Sequence, residues 1–182
     1  MSADQITNRT KRVTKLAAAA SGVVVAVSTL PASPASAYDW EYPGGMNSTE
    51  FNYCVPPSRW NICNQARVSM DEAFSWTQSI YGHRIDGTKA NAFQHSYWLA
   101  RMTQRMSNNT ATSMGFGDRH EANTSGNPKA MDLHNNGIGA NTGAITNEAG
   151  ARFYLKLGAD DAYYWGGFPD PAPADKLWFL VK

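Results

Sequence analysis

Residues recur at three- and four-residue spacing along most of the chain after residue 60, and that period predicts a run of helices. Ile62, Ala66, Met70, Ala73, Thr77 and Ile80 form one stripe between about Asn61 and Tyr81, widened by Phe74 and Tyr81, with Gly82 as the stop. A second helix is predicted from Thr88, a good N-cap, to about Met106. On it Ala92, His95, Leu99, Met102 and Met106 share a face, so His95 interrupts an otherwise apolar stripe. Asn109 or Thr110 caps a third helix reaching about Ala122. Gly115 and Gly117 each cost that helix about 1 kcal/mol relative to Ala, which asks for close packing or an irregular turn. A fourth helix begins near Pro128, carries Ala130, Met131, His134 and Ile138 along one side, and is predicted to end at Gly137, Gly139 and Gly143. A fifth spans about Ile145 to Leu157, with Gly158 as its stop.

Two stretches lack this period. Tyr38 to Arg59 is rich in Gly, Pro, Asn and aromatics and reads as an extended arm laid over the domain. The tail from Ala159 ends in Leu177-Trp-Phe-Leu-Val181, whose composition suits a short helix or a strand equally. The fold class expected is therefore mainly α. It is a single-domain helical bundle over residues 61–182, preceded by an N-terminal arm at 38–60.

Residues 1–37 read as a signal peptide. Arg9, Lys11, Arg12 and Lys15 form a basic start, Leu16 to Val27 an apolar run, and Ala35-Ser36-Ala37 a small-x-small cleavage site before Tyr38. The apolar run is shorter than the roughly 20 residues a membrane span requires. Export places Cys54 and Cys63, the two cysteines, in an oxidising compartment. Nine positions apart with Pro56-Pro57 between them, they read as a disulfide that pins the arm and contributes about 2–3 kcal/mol by loop closure.

Charge narrows the partners. Without the four Lys/Arg and one Asp of residues 1–37, the remaining chain has 12 basic and 14 acidic side chains, a net of −2. That balance gives no nucleic-acid signal, and no basic amphipathic segment suits an anionic membrane. Nothing in the pattern specifies self-association.

The chemistry concentrates between Thr88 and Gly139, which hold three of the four histidines. Histidines from three helices, His95, His120 and His134, converging in a bundle would make an open three-nitrogen site for a divalent metal such as zinc. Asp118 and Asp132 each precede a histidine by two positions. On a helix that step turns about 200°, so each aspartate faces away from its own histidine and is expected to support another helix's from behind. Glu121 is expected as a ligand or general base, and Asn136 as a group orienting substrate, so Glu121, Asp132 and Asn136 form the candidate catalytic set. His83 falls in a turn and reads as a loop residue. A buried polar network that only locks the helices in register is the alternative. No G-x-S-x-G, P-loop or dinucleotide fingerprint is present.

Three ordered blocks carry a resemblance. They are Asn91-Ala-Phe-Gln-His95-Ser-Tyr-Trp98, Asp118-Arg-His120-Glu121 and Met131-Asp-Leu-His134-Asn-Asn136-Gly-Ile-Gly139. They resemble a bacterial domain family of unknown function with blocks N-A-F-R-H-A-x-W, D-A-H-E and M-D-L-H-N-N-x-x-G. That family is found in secreted actinobacterial proteins and at the C-termini of Rhs-type toxins. Gln94 and Arg119 stand where Arg and Ala are usual, while the histidines match. The reading that results is a secreted metal-dependent hydrolase acting on an extracellular polymer or lipid. A non-catalytic binding or structural module and an exported antibacterial effector are the alternatives.

Overall fold

The computed structural model describes residues 46–181. The signal peptide of residues 1–37, its cleavage point and the start of the arm lie outside the described residues. Among these residues six helices follow one another: α1 (Ser48–Cys54), α2 (Trp60–Tyr81), α3 (Lys89–Arg105), α4 (Thr110–His120), α5 (Gly126–Ile145) and α6 (Glu148–Asp160). Single 3₁₀ turns occupy Pro57–Arg59 and Glu121–Asn123. The fold is mainly α, as the periodicity predicts, and among the described residues no helix is long and apolar enough to cross a membrane.

Helix α3 is the axis of the described helical bundle. Its predicted cap is present, with the Thr88 side chain accepting from the Asn91 amide, and every residue from Ala90 to Thr103 is buried. It packs against α2, α4, α5 and α6, so its polar residues are enclosed together with Phe93, Tyr97, Trp98, Leu99 and Met102. Each such large apolar side chain stabilises by about 1.5–3 kcal/mol when fully buried. Phe93 and Tyr97, one turn apart, stack with ring centroids 5.3 Å apart.

Helix α5 runs through the glycines expected to end it. A Cβ on Gly139 would lie 1.9 Å from the Ser96 carbonyl oxygen, and one on Gly143 would lie 2.3 Å from that of Ala100. These glycines let α5 cross α3 backbone against backbone, a tertiary requirement that outweighs their poor helix propensity. Ile145 consequently closes α5, and the last helix begins at Glu148 behind an Asn147 cap. It continues past Gly158 to Asp160.

The arm differs from an extended strap where it is described. Residues 48–54 are helical, started by a capping box in which the Asn47 side chain accepts from the Glu50 amide and Glu50 accepts from the Asn47 amide. The Cys54–Cys63 disulfide joins α1 to α2 as expected. Tyr53 adds an anchor, with the guanidinium groups of Arg59 and Arg119 4.3 and 4.0 Å from its ring centroid.

The tail is a strand rather than a helix. Trp178–Phe179 (β2) pairs in parallel with Tyr163–Tyr164 (β1). Beyond it, Leu180 and Val181 both donate to the Gly87 carbonyl, closing the tail onto the α2–α3 loop.

Candidate functional site

His95 reaches the centre of the bundle because α3 is enclosed on every side. The 3₁₀ turn after α4 brings Glu121 to one edge of its ring, and α5 brings Asp132 to the other. His95 Nδ1 lies 3.6 Å from Glu121 Oε1, and Nε2 lies 3.5 Å from Asp132 Oδ1. Both separations exceed the usual 2.7–3.2 Å of an N–H···O hydrogen bond. His95 Nδ1, Glu121 Oε1 and Asp132 Oδ1 are buried without a hydrogen-bond partner. One donor atom from each residue lies within 4.8 Å of the other two, so this His/Glu/Asp group can hold a metal ion. Two ligand atoms about 2.1 Å from a tetrahedral ion stand roughly 3.4 Å apart, close to either His95 contact taken by itself. A single ion takes only one nitrogen of the ring, which leaves the other for a supporting contact.

The electrostatics favour a cation. Burial pushes the Asp132 carboxyl well above the usual carboxylate range, and repulsion from Glu121 and Asp86 adds to it. Burial also lowers the pKa of His95. Glu121 and Asn136 oppose that shift and His120 reinforces it, so the ring is neutral, the form that binds metals. Asn136 sits beside the ring, although neither of its amide atoms makes a hydrogen bond of ordinary geometry. Its amide is held against Gly117, where a Cβ would come within 3.1 Å of Nδ2.

His120 stands behind this group, its ring centroid 6.1 Å from that of His95 and 4.8 Å from Trp98. Its Nδ1 lies 3.0 Å from Glu50 Oε1. Burial works against charge on His120, but the hydrogen bond and charge of Glu50, with help from Glu121, outweigh it and raise the pKa. Asn47 Nδ2 donates to the Arg119 and His120 carbonyls, both at 2.8 Å, which ties the start of α1 to the end of α4. Sequence reading missed Glu50. Its signal was Asn47-Ser-Thr-Glu50, the spacing of a capping box.

His134 does not join His95 and His120, so the expected three-histidine centre is not assembled. Its ring stacks on Trp178 at a centroid distance of 3.6 Å and an angle of 10°. Nε2–H donates to the Lys176 carbonyl at 2.7 Å. Asn135 grips the same strand twice, donating to the Trp178 carbonyl and accepting from its amide. The block from Met131 to Gly139 thus works on two sides. Asp132 and Asn136, one turn apart, turn inward, while His134 and Asn135 fasten the tail. Asp118 is exposed and His83 lies in the α2–α3 turn, both away from the trio. Asn91 has a local role, its side chain accepting from the Gly87 amide beside Asp86.

No curated protein and no solved structure matches the chain. The profile of the family described as "Domain of unknown function (DUF6973)" does match it, over residues 57–156. That stretch contains His95, Glu121 and Asp132, and the chain belongs to this family.

Proposed function

We propose that the protein is an exported metal-dependent hydrolase acting on an extracellular polymer or lipid, with His95, Glu121 and Asp132 as its ion ligands. The observation that carries this reading is a buried group in which one donor atom from each of His95, Glu121 and Asp132 lies within 4.8 Å of the other two, with an atom of each residue left without a hydrogen bond. A buried polar atom left unpaired costs about 1–3 kcal/mol, and a network serving only the fold would be expected to pair its members. A divalent ion would take one atom from each of the three residues and would offset the mutual repulsion of Glu121, Asp132 and Asp86. Zinc suits a set of nitrogen and oxygen donors at these spacings.

Export is supported by the basic, apolar and small-x-small order of residues 1–37 and by the Cys54–Cys63 disulfide, a bond that persists in oxidising compartments. When bound, the ion supplies Lewis-acid activation of water or of a substrate oxygen. The chain's own groups do the rest. His120, hydrogen-bonded to Glu50, would be the neighbouring group that hands on a proton, and Asn136, whose amide atoms make no hydrogen bond of ordinary geometry, would hold a polar group of the substrate. A second reading, an ion-stabilised module without catalysis, draws on the burial of His95, Glu121 and Asp132 at 4, 2 and 8% exposure.

Elemental analysis of the purified mature protein, with melting curves before and after chelation, tests the ion. The expected result is about one divalent ion per chain, and a stability loss on chelation of about 2.7 kcal/mol when the free ion had stood at 100 times its Kd. His95→Ala should abolish the ion content. If no ion co-purifies or binds and chelator leaves the melt unmoved, the ion is abandoned and the trio is a structural network. Hydrolysis of ester and glycoside substrates by the metal-loaded protein separates the catalytic from the non-catalytic reading.

A further inference from the structure

A cavity of about 560 Å³ opens beside α1, α2 and α4, lined among the described residues by His120 but by none of the trio, and the hydrolase reading gives it no role. Its size falls within the roughly 300–1,000 Å³ of small-molecule sites. Its walls are apolar, with Met70 and Phe116 inside and Val55 and Trp60 at the mouth, the last two 57% and 62% exposed. Trp98 and the hydrogen-bonded pair Glu50–His120 also line it. Arg67, the arginine of the lining, meets Asp71 at 3.9 Å.

We propose that this cavity binds the hydrocarbon chain of an uncharged single-chain lipid, such as a fatty-acid monoester. The chain chemistry follows from the walls, since apolar surface buried from water is the favourable term available to a ligand there. The uncharged head group follows from the pairing. Glu50 is hydrogen-bonded to His120, and Arg67 and Asp71 stand 3.9 Å apart as an exposed pair of opposite sign, so the charges of the lining come in opposite-signed pairs and favour neither an anionic nor a cationic head. Large apolar groups at the mouth extend the chain's path outward beyond the enclosed part. That the bound lipid is also the substrate rests on the hydrolase reading; the binding itself does not.

Calorimetric titration of the mature protein with monocaprin below its micellar concentration tests the site, with decanoate and glycerol as comparisons. Monocaprin should bind with a micromolar Kd, decanoate more weakly and glycerol not at all. Met70→Trp fills the cavity, and Val55→Asp changes only an exposed residue at the mouth, so the second variant keeps the fold intact. Each should weaken monocaprin by about tenfold or more, the scale that lost contacts of a methylene or two give in apolar pockets. Chelator-treated protein should bind monocaprin as well as untreated protein does, which separates failure of the ion from failure of the lipid site. Absence of binding to the wild type, binding to both variants as tight as to the wild type, or tighter binding of decanoate would overturn the proposal. Binding seen only in a chain shortened to begin near Met46 would also overturn it, by assigning the cavity to the protein's own N-terminal stretch.

Discussion

Gly139 of α5 lies directly against the backbone of Ser96 on α3, the residue after His95. A methyl group added at 139 would meet the Ser96 carbonyl oxygen at 1.9 Å, with the Ser96 Cα and carbonyl carbon at 2.6 Å. Backbone atoms cannot swing aside as a flexible side chain can, so the helices must separate. Gly139→Ala should cost about 1–3 kcal/mol or more through overpacking. Two positions earlier the same change should act the other way. A Cβ at Gly137 meets only the Met114 Cε at 3.8 Å, an ordinary contact, so Gly137→Ala should gain up to about 1 kcal/mol of helix propensity. Thermal melts of the two variants check the pair, and equal melting temperatures would refute the close crossing.

His134→Ala distinguishes the tail from the trio. It removes the ring stacked on Trp178 and the hydrogen bond to the Lys176 carbonyl, and leaves His95, Glu121 and Asp132 in place. The expected loss is about 1–2 kcal/mol, from one aromatic contact and one hydrogen bond. Proteolysis of the C-terminal strand should become faster while the ion content stays at the wild-type level. A fall in ion content would return His134 to the ligand set.

Acid should unpick a different cluster. Glu72 on α2 accepts from Arg101 Nε at 2.8 Å and from Arg105 on α3. Burial would raise its pKa, but the two arginines outweigh burial and hold it below the ordinary carboxylate value. A carboxylate depressed in the folded state contributes stability above its unfolded pKa of about 4.3, and that contribution is lost as pH falls through the folded value. Glu72→Gln should therefore cost about 1–3 kcal/mol at pH 7, and the gap from wild type should narrow below roughly pH 4. Denaturant titrations from neutral to acid pH measure it, and a gap that widens on acidification has the wrong sign.

Local signals made much of the fold legible. Thr88 and Asn109 cap the helices their residue types predict, and Gly82 stops α2 with φ +72°. What eluded the sequence was non-local. Gly139 and Gly143 read as helix breakers because propensity is a property of the chain, whereas their need for α3 is a property of the packed pair. At the site, the 200° step between residues two apart correctly separates His134 from Asp132 but leaves open which of them faces inward. The inward member is Asp132, because Trp178 offers His134 a flat apolar partner 44 positions away, and no helical period announces such a partner. Glu121 and His95 were readable as polar residues beside apolar stripes. Glu50 belonged to a stretch with no period and was passed over.

The tie from Asn47 to the last carbonyls of α4 bears on how this domain can be divided. The family profile begins at residue 57 and ends at 156, so the three ion-facing residues lie within it, while Asn47 and Glu50 precede it and Trp178 follows it. A fragment trimmed to the profile would keep the donors but lose the carboxylate at His120 and the strand held by Asn135. A workable unit for expression or grafting accordingly has to include Asn47, Glu50 and the strand at Trp178–Phe179, so the borders of the recognisable sequence fall inside those of the packed structure.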